Sequence, residues 1–148
     1  MDYMLKPEDF VGVTFWIISV SMVASTAFFF LEANSVAKHW QTSVRVAGLV
    51  TLIAAVHYYY MRDVWVSTGE SPTVYRYIDW LLTVPLQMIE FYLILAAVTI
   101  VPLMLFWRLL GASLVMLIFG FMGEAGLGDP MLMFIIGMAG WIYIIYEV

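Results

Sequence analysis

Long apolar runs separated by short polar connections dominate this chain. The run from Phe10 to Leu31 has no charged residue between Asp9 and Glu32. Crossing a bilayer takes roughly 20 mostly apolar residues in a helix. On that measure the pattern predicts spans over about 10–31, 42–62, 73–98, 103–123 and 130–147. Ser71-Pro72 and Asp129-Pro130 suit helix starts, because Ser or Asp can cap and Pro fits the first turn. Gly123-Glu-Ala-Gly-Leu-Gly128 reads as a tight turn. The connections are short, so sequential helices should pack antiparallel. The expected fold class is an all-α membrane protein, a transmembrane helix bundle, with residues 1–148 forming a single domain.

Composition agrees and narrows the function classes. Apolar residues make up 64% of the chain and charged residues 11%, against about 25% charged in ordinary soluble domains. The net charge of −5 comes without a basic stripe, so nucleic acid is not an expected partner. No cysteine is present, which removes disulfides, thiolate catalysis and Cys-ligated metals. His39 and His57 are too few and too far apart for a zinc site, and no metal is expected. Lys38, Arg45 and Arg108 fall on one side of the predicted spans, and Lys6 and Arg62 on the other. The rule that Lys and Arg favour the cytoplasm then places the N-terminus outside and the C-terminus inside.

The third span carries the unusual residues Arg76, Asp79 and Glu90. A charge at mid-membrane costs about 2.5–3.5 kcal/mol on insertion scales, so intramembrane acids read as functional. Asp79 and Glu90 are 11 residues apart, which on an α-helix is roughly 20° of net rotation and about 16 Å of rise. One face thus carries acids at two depths, the arrangement of a proton path. Arg76 and Thr83 lie one turn either side of Asp79; the cation favours an ionised carboxylate, and the hydroxyl can donate to it. Glu90 has no basic neighbour within a turn, and burial favours its protonated form. The two carboxyls are then an acceptor and a donor. The competing reading is a structural ion pair and a polar residue at the lipid edge. His57, at a depth comparable with Asp79, is either a satisfied core residue or a hydrogen-bond partner that tunes Asp79. Trp80, beside Asp79 at mid-span, could wall a cofactor pocket. Tyr58, Tyr59, Tyr60 and Trp65 fit an interfacial aromatic belt. Gly111, Gly120, Gly137 and Gly140 suit close helix packing, and Met116 reads as apolar filler.

Arg76-Tyr-Ile-Asp-Trp-Leu-Leu-Thr-Val-Pro-Leu86, followed by Glu90, resembles the third helix of the microbial (type 1) rhodopsins, most closely those of the blue-absorbing proteorhodopsin kind. Val44-Arg-Val-Ala-Gly-Leu-Val50, Gly111-Ala-Ser-Leu-Val-Met116 and Met122-Gly-Glu-Ala-Gly126 resemble that family too. The likeness covers helices A to E of a seven-helix fold. It implies retinal as cofactor, with Asp79 as the Schiff-base counterion and proton acceptor, Thr83 in support, and Glu90 as the cytoplasmic proton donor. It implies a retinal pocket of Trp80, Thr83, Val84, Met116, Gly120, Phe134, Gly137 and Trp141, with Gln87 at the colour-tuning position. His57 would partner Asp79 and meet Trp16 of a neighbouring protomer in a pentameric or hexameric ring.

The retinal-bearing lysine of the family belongs to a seventh helix. Lys6 and Lys38 fall before the first span and in a loop, and neither suits that role. Helices F and G are therefore expected outside this chain. The expected function is a light-driven outward proton pump in a bacterial inner membrane, an ion transporter rather than an enzyme. The rival readings are a photosensory rhodopsin and a truncated chain without retinal or pumping. Glu90 counts against a photosensor, which often lacks a carboxylate donor.

Overall fold

A computed structural model describes residues 4–148. Five α-helices follow in order: α1 (Phe10–Glu32), α2 (Gln41–Thr68), α3 (Thr73–Val98), α4 (Leu103–Glu124) and α5 (Pro130–Glu147). Each is long and apolar enough to cross a membrane. Four of the five begin and end within a residue or so of the apolar runs. The exception is α2, which continues through Arg62 and Asp63 to Thr68. A charged pair ends a membrane-compatible stretch but does not end a helix. The stop is Gly69, whose φ of 70° lies in the left-handed region that an L side chain resists and that closes a helix C-terminus. Its N–H donates to the Trp65 carbonyl at 2.7 Å.

The chain divides into two compact units, one ending at Asp79 and the other running Trp80–Val148, so that α3 contributes to both. In the first unit α1 lies antiparallel on α2. Phe15 meets Tyr58 and Trp16 meets Tyr59, with ring centroids 6.2 and 6.3 Å apart. Further along, the hydroxyls of Thr26 and Thr51 lie 2.9 Å apart. Gly48 leaves room for Phe29 and Phe30, since a Cβ there would lie 3.2 Å from the Phe30 ring. Close approach through small residues, with hydroxyls bonded across the seam, is how helices associate where lipid supplies no hydrophobic drive.

The same unit is latched at one end. Asp9 is the N-cap of α1 and accepts from the Gly12 N–H at 3.0 Å. Both carboxylate oxygens also lie 3.1 Å from the Trp65 indole Nε1, in the last turn of α2. The Gly12 amide, and then the Trp65 indole, hold the Asp9 carboxyl below its usual pKa. The belt expected of Tyr58–Tyr60 and Trp65 is thus also a set of specific contacts, with Tyr60 edge-on to Tyr75 at 4.9 Å.

In the second unit α4 lies antiparallel on α5. Gly137 faces the Met116 carbonyl, and Gly140 comes so close to α4 that a Cβ would sit 2.9 Å from the Ala112 carbonyl oxygen. Gly111 has open space on its own Cβ side and takes no part in this seam. Met88, Leu105, Leu109 and Ile144 form the buried core, with Val84, Leu95, Val101 and Ala112 against it. At the start of α5 the Asp129 carboxylate accepts from the Leu132 N–H at 2.8 Å, with Pro130 in the first turn. That is the start anticipated from Asp129-Pro130.

Candidate functional site

The helix α3 runs unbroken from Thr73 to Val98 despite Pro85 within it. Asp79 and Glu90 therefore share one α-helix, as their spacing requires. Arg76, Asp79, Thr83, Gln87 and Glu90 recur at three- and four-residue steps and form one stripe along it. Asp79 is 3% exposed and Thr83 is 5% exposed; Glu90 is half-buried.

In the first unit His57 and Asp79 come together. The His57 Nδ1 lies 3.5 Å from Asp79 Oδ1, too long for a good hydrogen bond but well within the range of charge interaction. The same nitrogen has a shorter contact, 2.9 Å, with the Ile53 carbonyl one turn back. A carbonyl oxygen only accepts, so Nδ1 carries the proton and donates. His57 is thus a half-buried residue bonded to its own helix that also lies near Asp79. The Arg76 guanidinium donates through Nη2 to the Ser71 hydroxyl at 3.0 Å.

Trp16, expected at a contact between protomers, is 42% exposed on α1. The Arg62 guanidinium lies 5.4 Å from its ring and 4.6 Å from the Tyr59 ring, a cation held over two aromatic faces. Arg62 also pairs with Asp63 at 2.6 Å.

The second unit contains a groove of about 360 Å³ walled by α3, α4 and α5. Val84, Gln87, Met116 and Trp141, four of the residues assigned to cofactor binding, line it. Trp80 and Thr83 are outside its wall, and Phe134 is 59% exposed on α5. Gly137 lies at the seam between α4 and α5, where its absent Cβ would face Met116 and the Gly120 amide. The geometry of Gly120 and Gly137 therefore matches the packing reading. Met88, Phe91, Ile144, Ile145 and Val148 also line the groove. Sequence reasoning passed over them, although Val84, Met88 and Phe91 recur at helical spacing on one face. Also missed was a cluster joining α4 to α5. The Tyr143 hydroxyl donates to Glu147 Oε1 at 2.6 Å, and Arg108 reaches the same oxygen at 3.4 Å. Opposite charges near the start of one helix and the end of its antiparallel neighbour were the available signal.

An apolar groove with a flat indole, a phenyl ring, two thioethers and one amide suits an apolar ligand better than a polar metabolite. Comparison with known proteins gives the family. Residues 9–148 match the model of the bacteriorhodopsin-like proteins. The chain is 61% identical over 143 residues to the blue-light absorbing proteorhodopsin of Gamma-proteobacterium Hot 75m4, covering 97% of this chain and 57% of that protein. It thus spans a little over half the length of that relative. Among solved structures, the blue light-absorbing proteorhodopsin from Med12 is 60% identical with a TM-score of 0.85, over 94% of this chain and 66% of that one. Xanthorhodopsin, described as a light-driven ion pump with dual chromophore, is 29% identical with a TM-score of 0.81, over 96% and 64%. The chain belongs to the bacteriorhodopsin-like family of multi-pass membrane proteins.

Proposed function

We propose that this chain supplies the first five helices of a retinal-binding, light-driven outward proton pump. The observation that carries the reading is a buried Asp79, with His57 3.5 Å away, on the same helix as a second intramembrane carboxyl at Glu90. The light-driven ion pumping named for xanthorhodopsin supports it.

Val84, Gln87, Met116 and Trp141 fit an elongated apolar chromophore and would hold it, with Gln87 as the polar group that tunes its colour. Trp80, Thr83, Gly120, Phe134 and Gly137 complete the proposed pocket. Retinal held there, attached to a lysine of a seventh helix, would supply light absorption and the proton to be moved. Asp79 accepts that proton on its carboxylate. Thr83, one turn on, orients the carboxylate by hydroxyl donation, and Arg76 and His57 set its charge balance. Glu90 holds a proton in the resting protein and gives it up from the opposite side. Because acceptor and donor sit at two depths, one turnover moves charge in one direction.

We place the N-terminus outside a bacterial inner membrane, from the distribution of Lys38, Arg45 and Arg108 against Lys6 and Arg62. Trp16 and His57 are proposed contacts between protomers in a pentameric or hexameric ring. Glu90 favours a pump over a photosensor, because a signalling protein needs no fast proton return.

The test is illumination of cells making the complete protein. Acidification of the medium, abolished by a protonophore, is the expected result. No pH change at alkaline external pH rejects the reading.

A further inference from the structure

The assignment of Glu90 as donor leaves open how Glu90 regains its proton. The α3–α4 connection is only residues 99–102, so the end of α3, the start of α4 and the end of α5 lie at one end of the second unit. Its four acids are Glu90, Glu124, Asp129 and Glu147. Glu124 and Asp129 flank the α4–α5 turn, at the opposite end. Glu147 is therefore the carboxylate that shares Glu90's end.

Its surroundings suit a proton collector. The Glu147 side chain is 13% exposed. Oε1 is held by the Tyr143 hydroxyl at 2.6 Å and by Arg108 at 3.4 Å. Tyr143 lies one turn, or about 6 Å, deeper along α5, so the hydrogen bond points the carboxylate inward. The facing titratable and charged groups are Arg108 on α4 and Tyr143 and Tyr146 on α5. The stretches of helix that carry the two acids face each other across one groove: Gln87 and Phe91, three before and one after Glu90, line it together with Ile144 and Val148, which hold the same places around Glu147.

We propose that Glu147 collects protons for Glu90, with Tyr143 and Arg108 holding it in place beside the stretch of α3 that carries Glu90. This rests on the assignment of Glu90 as donor. A hydronium ion transfers its proton to the Glu147 carboxylate and leaves water. The Glu147 carboxyl then returns to carboxylate as the proton passes to ionised Glu90, so one proton moves from solvent to Glu90 and Glu147 is regenerated.

The experiment is flash photolysis of the complete protein in liposomes, with a pH-indicating dye on the cytoplasmic side. Glu147→Gln should leave colour and the first proton return unchanged, since Glu90 starts protonated. It should delay dye-detected uptake by about tenfold at alkaline pH, less than the 10²–10⁴ typical of a positioned general acid or base because water offers a bypass. Glu147→Asp should restore most of the rate. Uptake with wild-type timing in Glu147→Gln overturns the proposal. If that variant does not bind retinal, Tyr143→Phe, which removes a single hydroxyl, takes its place: slower uptake supports the proposal, wild-type timing overturns it. Glu90→Gln separates the two assignments. If its first proton return is normal, Glu90 is not the donor and both fall; if that return is slow while Glu147→Gln is normal, only this proposal falls.

Discussion

Replacing Asp79 by Asn keeps the size of a nearly fully buried side chain and removes its charge. In the complete protein Asp79→Asn should shift absorption to the red and stop light-driven transport, read by spectroscopy and a pH electrode. Glu90→Gln should leave colour nearly unchanged and slow the proton-return phase after a flash; normal kinetics would take Glu90 out of the donor role. The His57 contact makes a separate prediction. At 3.5 Å the ring and the Asp79 carboxylate feel each other's charge, so His57→Asn should move the midpoint of the Asp79 spectral titration, and an unmoved midpoint breaks the pairing. A fourth residue, Asp9, is outside the spans. Its folded pKa lies below the ordinary 3.8, so its bonds stabilise the latch fully above that value and are lost as pH falls through 3.8 toward the folded pKa. The Trp65 indole N–H resonance should follow that loss, and Asp9→Asn should flatten the titration. Asp79, Glu90 and His57 stood out in the sequence because ionisable groups are rare in apolar runs. Glu147 and Arg108 did not, since charges at helix ends are ordinary until an antiparallel neighbour brings them together.

Helix seams turn on backbone proximity, which a single sequence does not display. Gly111 and Gly140 look alike as glycines inside apolar runs. In the fold, a Cβ at Gly140 would lie 2.9 Å from the backbone oxygen of Ala112, whereas one at Gly111 meets open space. A carbonyl in a helix cannot swing aside like a side chain, so Gly140→Ala should destabilise the α4–α5 pair by about 1–3 kcal/mol, the usual cost of overpacking. Gly111→Ala should be neutral or slightly stabilising, since glycine is the poorer helix former by about 1 kcal/mol. Unfolding of the two variants in mixed detergent checks the contrast; equal effects would mean the seam is not tight at Gly140. The same distinction explains the boundary of α2. Hydropathy located the membrane-compatible stretch near Arg62, whereas the helix ends where backbone geometry changes sign at Gly69.

At the scale of the molecule the proposed pump turns on direction, because a pump is defined by which side loses protons. The five spans and their order were legible from hydropathy alone, since each run is long enough to cross and each connection too short for anything but a return. Orientation rests on Lys38, Arg45 and Arg108 against Lys6 and Arg62, a margin of one, so it calls for a direct test. The chain has no cysteine, and a single introduced thiol therefore reports its own side. Ser35→Cys lies between α1 and α2, and Glu70→Cys between α2 and α3. With the N-terminus outside, a membrane-impermeant maleimide should label Glu70→Cys in intact cells and Ser35→Cys only after lysis. The same topology sets the sign of transport: intact cells should acidify the medium, and inside-out vesicles should acidify their lumen. Labelling of Ser35→Cys in intact cells would invert the molecule, put Glu90 and Glu147 on the outer side and make outward pumping from Glu90 to Asp79 impossible.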